Sequence, residues 1–391
     1  MTAPRAVLGD RSLFPNLRAK SYLNHAAISP LSCPVASQIE RVVASYQGGG
    51  LEGFKEWLPQ RARFRESLGA LLGVSGEDIG FVQNTSAGVT SMAFMLPWKE
   101  GDRIVLFEGE FPANVTPWQQ AAATFGLEIT MLPLAPFRRS WEEGLASLET
   151  ELTRGVRLVA MSAVQFQTGL RMPIEDAGAL CHRYGTELFV DAIQALGAVP
   201  LRVDDVDYLS CGAHKWLMGV EGVGFVYVNS AKRGALIPRL GGWLGHEAAL
   251  DFLFLGSGHL RYDRPLRREA NVVEQGAQSV IGLAAWEASV DLIRELGVDA
   301  IFEHISRFHA ALEPALKERG FESARVEDAQ SATLSVKAPP GHDEVDLAAK
   351  LGERGVAVST PDGYLRFAPH WPNSLEEVPL ILEALDAHLS P

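Results

Sequence analysis

The sequence predicts an α/β protein: a three-layer α/β/α large domain on a mostly parallel sheet, followed by a smaller α+β C-terminal domain. Three observations carry this reading. Short apolar runs alternate with helical stretches between residues 79 and 228. Those runs are continuously apolar, as in parallel strands buried on both faces. After residue 228 the alternation gives way to two long helical stretches and a short mixed strand and helix series, an α+β pattern. The expected division is a large domain of residues 20–255 and a small one of 1–19 with 256–391.

The elements follow in order. Residues 22–30 (Y-L-N-H-A-A-I-S-P) form a small-residue segment closed by proline. A helix follows to about residue 47, with Ser32 as N-cap and Pro34 in its first turn. Residues 48–53, G-G-G-L-E-G, match a dinucleotide-binding glycine string by letter. They follow a helix instead of joining a strand to a helix, so they read as a loop. A second helix covers 57–72. Strands are expected at 79–82, 103–108, 128–134, 157–164, 187–190, 206–211 and 224–228. Helices at 85–96, 117–125, 145–152 and 174–184 separate the first five of these strands. Residues 229–275 look irregular. Helices at 279–296 and 299–319 follow, then a strand at 332–338, a helix at 344–354, strands at 356–359 and 364–368, and a last helix. Ser374 and Glu377 offer that helix a capping box.

Composition narrows the function. The 391 residues are 47% hydrophobic and 21% charged, with a net charge of −13. A nucleic-acid binder or polybasic membrane anchor needs a positive face, so both are disfavoured. Cys33, Cys181 and Cys211 are odd in number and widely spaced. They predict neither a disulfide framework nor a zinc site. The start lacks a long apolar stretch, and no run reaches the roughly 18 apolar residues that span a bilayer. A cytoplasmic protein is the expectation.

Ligands of open α/β sheets bind at the C-terminal strand ends, and several chemically capable residues fall there. Thr85 and Ser86 open the helix after the 79–82 strand, where free N–H groups favour a phosphate. Phe111, after the 103–108 strand, can stack on a flat ring. Asp191 closes the 187–190 strand and needs a cationic partner to stay ionised. A pyridinium N–H is such a partner, and Gln194 stands where it can reach a ring hydroxyl. Lys215, just past the next strand, can bond a cofactor aldehyde and carry protons. His214 beside it can reach phosphate or ring. Arg366 can clamp a carboxylate. Taken singly, these residues are equally a helix cap, a core aromatic or a surface cation. Their order along the chain points to pyridoxal 5′-phosphate (PLP). The turn Gly219-x-x-Gly222-x-Gly224 runs into a strand, so it is no nucleotide loop.

On D-A-I-Q-A-L-G-A-V-P, A-H-K-W-L and G-V-G-F-V-Y-V, the chain resembles fold type I PLP enzymes of the class V aminotransferase and cysteine desulfurase group. The resemblance runs from Y-L-N-H-A-A-I-S-P to the final helix. It implies that Lys215 is the Schiff-base lysine, Asp191 the pyridine partner and Gln194 the ring-hydroxyl contact. Thr85, Ser86 and His214 are implied to hold phosphate, Phe111 to stack on the ring, and Arg366 to bind the substrate carboxylate. Asn24 and His25, in the first segment, are expected to contact substrate. A homodimer is implied, with Ala277 in a loop (274–278) that reaches the neighbour's phosphate.

The sequence also departs from the group. Phe111 stands where many relatives have histidine, Gly212 where a phosphate-binding Ser or Thr is common, Ala277 where Thr is common, and Phe166 near a frequent Asn. Residues 356–365 hold no cysteine, so sulfur transfer by a cysteine desulfurase is disfavoured. The expected function is an aminotransferase-like enzyme acting on the α-carbon of a small amino-acid-like substrate, with no metal. A β-elimination lyase, including C–S cleavage, or a racemase or epimerase is the alternative. A nucleotide-dependent oxidoreductase lacks its glycine fingerprint, and a non-catalytic scaffold need not keep Lys215 and Asp191.

Overall fold

The computed structural model describes residues 5–389. The first four and last two residues of the expected small domain lie outside them. The elements run β1 (Ser21–Tyr22), α1 (Cys33–Gly49), α2 (Leu51–Leu72), β2 (Ile79–Val82), α3 (Thr85–Met95), β3 (Arg103–Phe107), α4 (Thr116–Phe125), β4 (Glu128–Leu132), α5 (Ala135–Arg139), α6 (Trp141–Leu152), β5 (Leu158–Ser162), α7 (Ile174–Arg183), β6 (Glu187–Asp191), β7 (Tyr208–Gly212) and β8 (Gly224–Val228). After an irregular stretch with a short α8 (Asp251–Phe254) come α9 (Val280–Leu296), α10 (Val298–Glu318), β9 (Glu322–Ser323), β10 (Leu334–Lys337), α11 (Glu344–Glu353), β11 (Val356–Ala357), β12 (Leu365–Phe367) and α12 (Glu377–Leu389).

A seven-stranded sheet in the order β2-β8-β7-β6-β5-β3-β4 forms the centre. Strands β7, β6, β5, β3 and β4 are parallel, while β8 runs antiparallel between β7 and β2. Every residue of β5, β6, β7 and β8 is buried, so the continuous apolar runs mark strands covered on both faces. β4, at the edge, is partly exposed. The C-terminal ends of β2, β3, β5, β6 and β7 therefore meet on one edge.

The expected loop at 48–53 is a correction. Gly48 and Gly49 end α1, Leu51 opens α2, and Gly50 alone turns the chain between them with φ 51°. Glycine accepts that left-handed conformation, and a helix can restart at once. The second helix therefore begins six residues earlier than its apolar pattern suggested and carries Pro59 inside it. Sequence reading also missed α5 and the two-residue strands β1 and β9.

Of the four hydrophobic clusters among the described residues, two bear on the division of the chain. One joins the sheet to α2, α7, α9 and the start of α10, with Phe64, Trp286 and Ile305 in it. The other gathers Phe308, Leu312, Leu334, Leu347, Phe367 and Ile381, together with Leu23 from the N-terminal segment. β1 pairs in parallel with β11, and Asn24 bridges to Ala368. The early chain is thus stitched to the C-terminal strands, and α9 to the large sheet. Among the described residues no helix is long and apolar enough to cross a membrane.

Candidate active site

A cavity of 480 Å³ opens where the C-terminal strand ends face β12. Thr85, Ser86, Phe111, Asp191, Gln194, His214, Lys215 and Arg366, all singled out from sequence, line it. Ala26, Ala27, Ile28, Phe166, Ile193 and Pro361 complete an apolar wall.

One end of the cavity suits an anion. Asn84 caps α3 by accepting from the Ala87 N–H at 2.8 Å. The amides of Thr85 and Ser86 have no intrahelical partner. The Thr85 hydroxyl accepts from the Gly212 N–H at 2.9 Å, which leaves its own proton to donate. A Cβ at Gly212 would lie 3.1 Å from Thr85 Oγ1 and 3.4 Å from His214 Nδ1. Glycine there leaves the anion end open. Burial and the Lys215 charge lower the His214 pKa, against a smaller opposing effect of Glu221.

The floor holds a carboxylate and an amine of unusual acidity. Asp191 is 3% exposed; burial pushes its pKa up to about 6, opposed by the Ile193 N–H and the Lys215 charge. Burial pulls Lys215 down to about 8, against the pull of Asp191 and with a further push from Arg366. Lys215 Nζ lies 5.5 Å from the Phe111 ring centroid. Phe111 meets Phe166 edge to face at 5.2 Å. Gln194 accepts from Trp216 Nε1 at 2.9 Å and donates to Ala26 O at 3.0 Å, which leaves one amide proton free.

Arg366 is 4% exposed. It donates to Phe166 O at 2.7 Å and Ser359 Oγ at 3.1 Å. Burial alone lowers its pKa to about 10, and no carboxylate pairs with it among the described residues. A buried guanidinium lacking a carboxylate is a site that an anionic ligand completes.

Asn24, His25 and Ala277 do not line this cavity. His25 is 1% exposed and turns inward to Ser29 and His370. The Asn24 backbone bridges to Ala368 and its buried side-chain oxygen has no hydrogen-bond partner among the described residues; the cavity takes its wall from Ala26, Ala27 and Ile28. Ala277 lines a second cavity, of 490 Å³, with Tyr46, Phe54, Trp243 and Leu253.

Glu110 went unnoticed in the sequence. It is 8% exposed and accepts from Ser162 N at 2.7 Å, from Ser162 Oγ and from Gln165 Nε2 at 3.0 Å. Burial raises its pKa to about 7, and the neighbouring Asp191 adds to the rise. The one signal was its place beside Phe111. All three cysteines are free; Cys33 is exposed, while Cys181 and Cys211 are buried.

A family model described as Aminotransferase class-V matches residues 21–364. The chain belongs to that family. An uncharacterized aminotransferase of Bacillus subtilis (strain 168), YcbU, is 26% identical over 376 residues, 94% of each chain. A cysteine desulfurase of Dickeya dadantii (strain 3937) is 32% identical over 235 residues, 59% of this chain and 54% of that protein. Among solved structures, the cystine C-S lyase C-DES with its product cysteine persulfide aligns at TM-score 0.88 and 23% identity, over 97% of this chain and 100% of that one. Another C-DES structure, a lysine mutant, carries glycine covalently linked to its PLP cofactor. The fold type I architecture and PLP as cofactor follow for this class V chain. The lining fits that cofactor: an anion-holding helix end, a buried carboxylate, a half-buried amine and an aromatic face converge on one cavity. The expectation against a cysteine desulfurase is not borne out, since proteins named cysteine desulfurase are among the relatives.

Proposed function

We propose that the protein acts on the α-carbon of an amino acid, with transamination as its reaction. One observation carries this reading: a half-buried amine at Lys215, a buried carboxylate at Asp191 and a buried guanidinium at Arg366 with no carboxylate partner among the described residues line the same cavity. Bound PLP supplies an electron sink for charge that builds at the substrate α-carbon. Asp191 holds the proton on the pyridine nitrogen. Thr85, Ser86, His214 and the amides that open α3 hold the phosphate. Phe111 would stack on the ring, and Gln194, with one amide proton free, would donate to the ring hydroxyl. Arg366 takes the substrate carboxylate and so turns the α-hydrogen toward Lys215, which removes it as a general base. Its amine, held near 8 by burial, exchanges protons at neutral pH.

A second reading, C–S cleavage of a sulfur amino acid, is favoured by the relatives named cysteine desulfurase. We propose further that the two cores are two lobes meeting at this cavity, with their boundary inside α10 instead of at residue 256. A second copy of the chain is proposed to cover the apolar cavity at Ala277, where Leu253 and Ile281 lie exposed. A cytoplasmic location accords with the three free cysteines.

An amino-acid panel tests the reaction. Transamination gives 2-oxo acid without free ammonia, and requires an oxo-acid acceptor for turnover. Pyruvate with ammonia and a sulfur product moves the assignment to lyase chemistry.

A further inference from the structure

Lys215 does not lie on a regular element. It follows β7 in a turn where Met218 takes a positive φ of 50°. A side chain on such a turn is placed by whatever holds the turn. Three successive carbonyls here are held from outside the sheet. The Ser29 N–H donates to His214 O at 2.8 Å. The Ser29 hydroxyl donates to Lys215 O at 2.6 Å. His370 Nε2 donates to Trp216 O at 2.9 Å. The tautomers follow from the partners. The Trp371 N–H donates to His370 Nδ1 at 2.7 Å, so the His370 proton sits on Nε2. Ser29 Oγ gives its proton to Lys215 and lies 2.7 Å from His25 Nδ1, so His25 donates there. Ser29 is 3% exposed and His370 is fully buried, and neither lines the cavity.

We infer that Ser29 and His370 are positioning residues for Lys215, a clamp that fixes the lysine backbone so that its amine meets the substrate α-hydrogen. His25, expected from sequence to touch substrate, instead orients the Ser29 hydroxyl. The clamp ties the reacting lysine to the N-terminal segment and to the chain beyond β12. This inference rests on Lys215 being the proton carrier of the proposed function. A displacement of about 1 Å at a reacting group can cost on the order of 100-fold in rate.

The test compares PLP-loaded wild type with Ser29→Ala, Ser29→Thr and His370→Leu. Two readouts are followed: the visible absorbance of the lysine-bound cofactor, and loss of the α-hydrogen of L-alanine to D₂O by NMR. If wild type exchanges another amino acid faster in the panel above, that amino acid replaces alanine. Ser29→Ala is expected to keep the visible band and a normal melting temperature while exchange falls about 10-fold or more. Ser29→Thr, which keeps the hydroxyl, is expected to restore most of the rate. His370→Leu is expected to slow exchange independently. Unchanged exchange in a folded, cofactor-loaded Ser29→Ala or His370→Leu protein overturns the inference. So does failure of both variants to fold, since the hydrogen bonds then serve the fold and not the lysine. A wild type with no visible band defeats the proposed function instead, whatever the variants do.

Discussion

Asp191 and Lys215 each occupy a site that penalises its charge, and each lessens the other's penalty. Glu110 adds a further acid with a raised pKa. Its consequence for stability has a definite sign. Glu110 binds a proton more tightly in the native state than in the unfolded chain between about pH 4.5 and 7, so its own contribution to stability is greatest below that window and is lost as pH rises through it. The loss is on the order of 3 kcal/mol at most. Denaturant titrations of cofactor-free protein should show wild type losing stability relative to Glu110→Gln as pH rises through that window. Arg366→Lys keeps the charge but loses the planar fork; it should raise KM for the amino acid about 10- to 100-fold, measured by steady-state kinetics. Residues at strand ends were legible because position and chemistry coincide. Ser29 and Glu110 were not: their partners lie 186 and 52 residues away, and no local pattern records such pairings.

At the scale of elements, α3 is held close to the sheet so that its N-terminus faces the cavity. Gly88 makes the approach possible, since a Cβ there would run into Ser210 Oγ and Val226. Ser210 Oγ in turn donates to Thr85 O at 3.1 Å. Gly88→Ala should cost about 1–3 kcal/mol in denaturant unfolding and weaken PLP binding by tilting α3. The alternation of strands and helices was readable because strands buried on both faces leave continuous apolar runs. The junction at Gly50 was misread because a glycine cluster signals a turn without giving its length. Strands β1 and β9 were invisible because they depend on distant pairing, such as Ser21 with Val356.

At the scale of the molecule, the exposed apolar surface around Leu253, Phe254, Leu255 and Leu260 adjoins the cavity at Ala277. A surface of that kind calls for a cover. Light scattering should give twice the chain mass of 42.5 kDa, and Leu253→Asp should shift it toward one chain while weakening PLP retention. The two-core arrangement was only partly legible: α9 looked like part of the C-terminal half but packs on α1 and α2.

The most direct measurement is the visible spectrum after reconstitution with PLP. Wild type should show a band near roughly 410–430 nm that is lost on borohydride reduction and absent in Lys215→Ala. A wild-type protein that stays colourless, or a Lys215→Ala protein that keeps the band, contradicts the central claim that Lys215 bonds the cofactor.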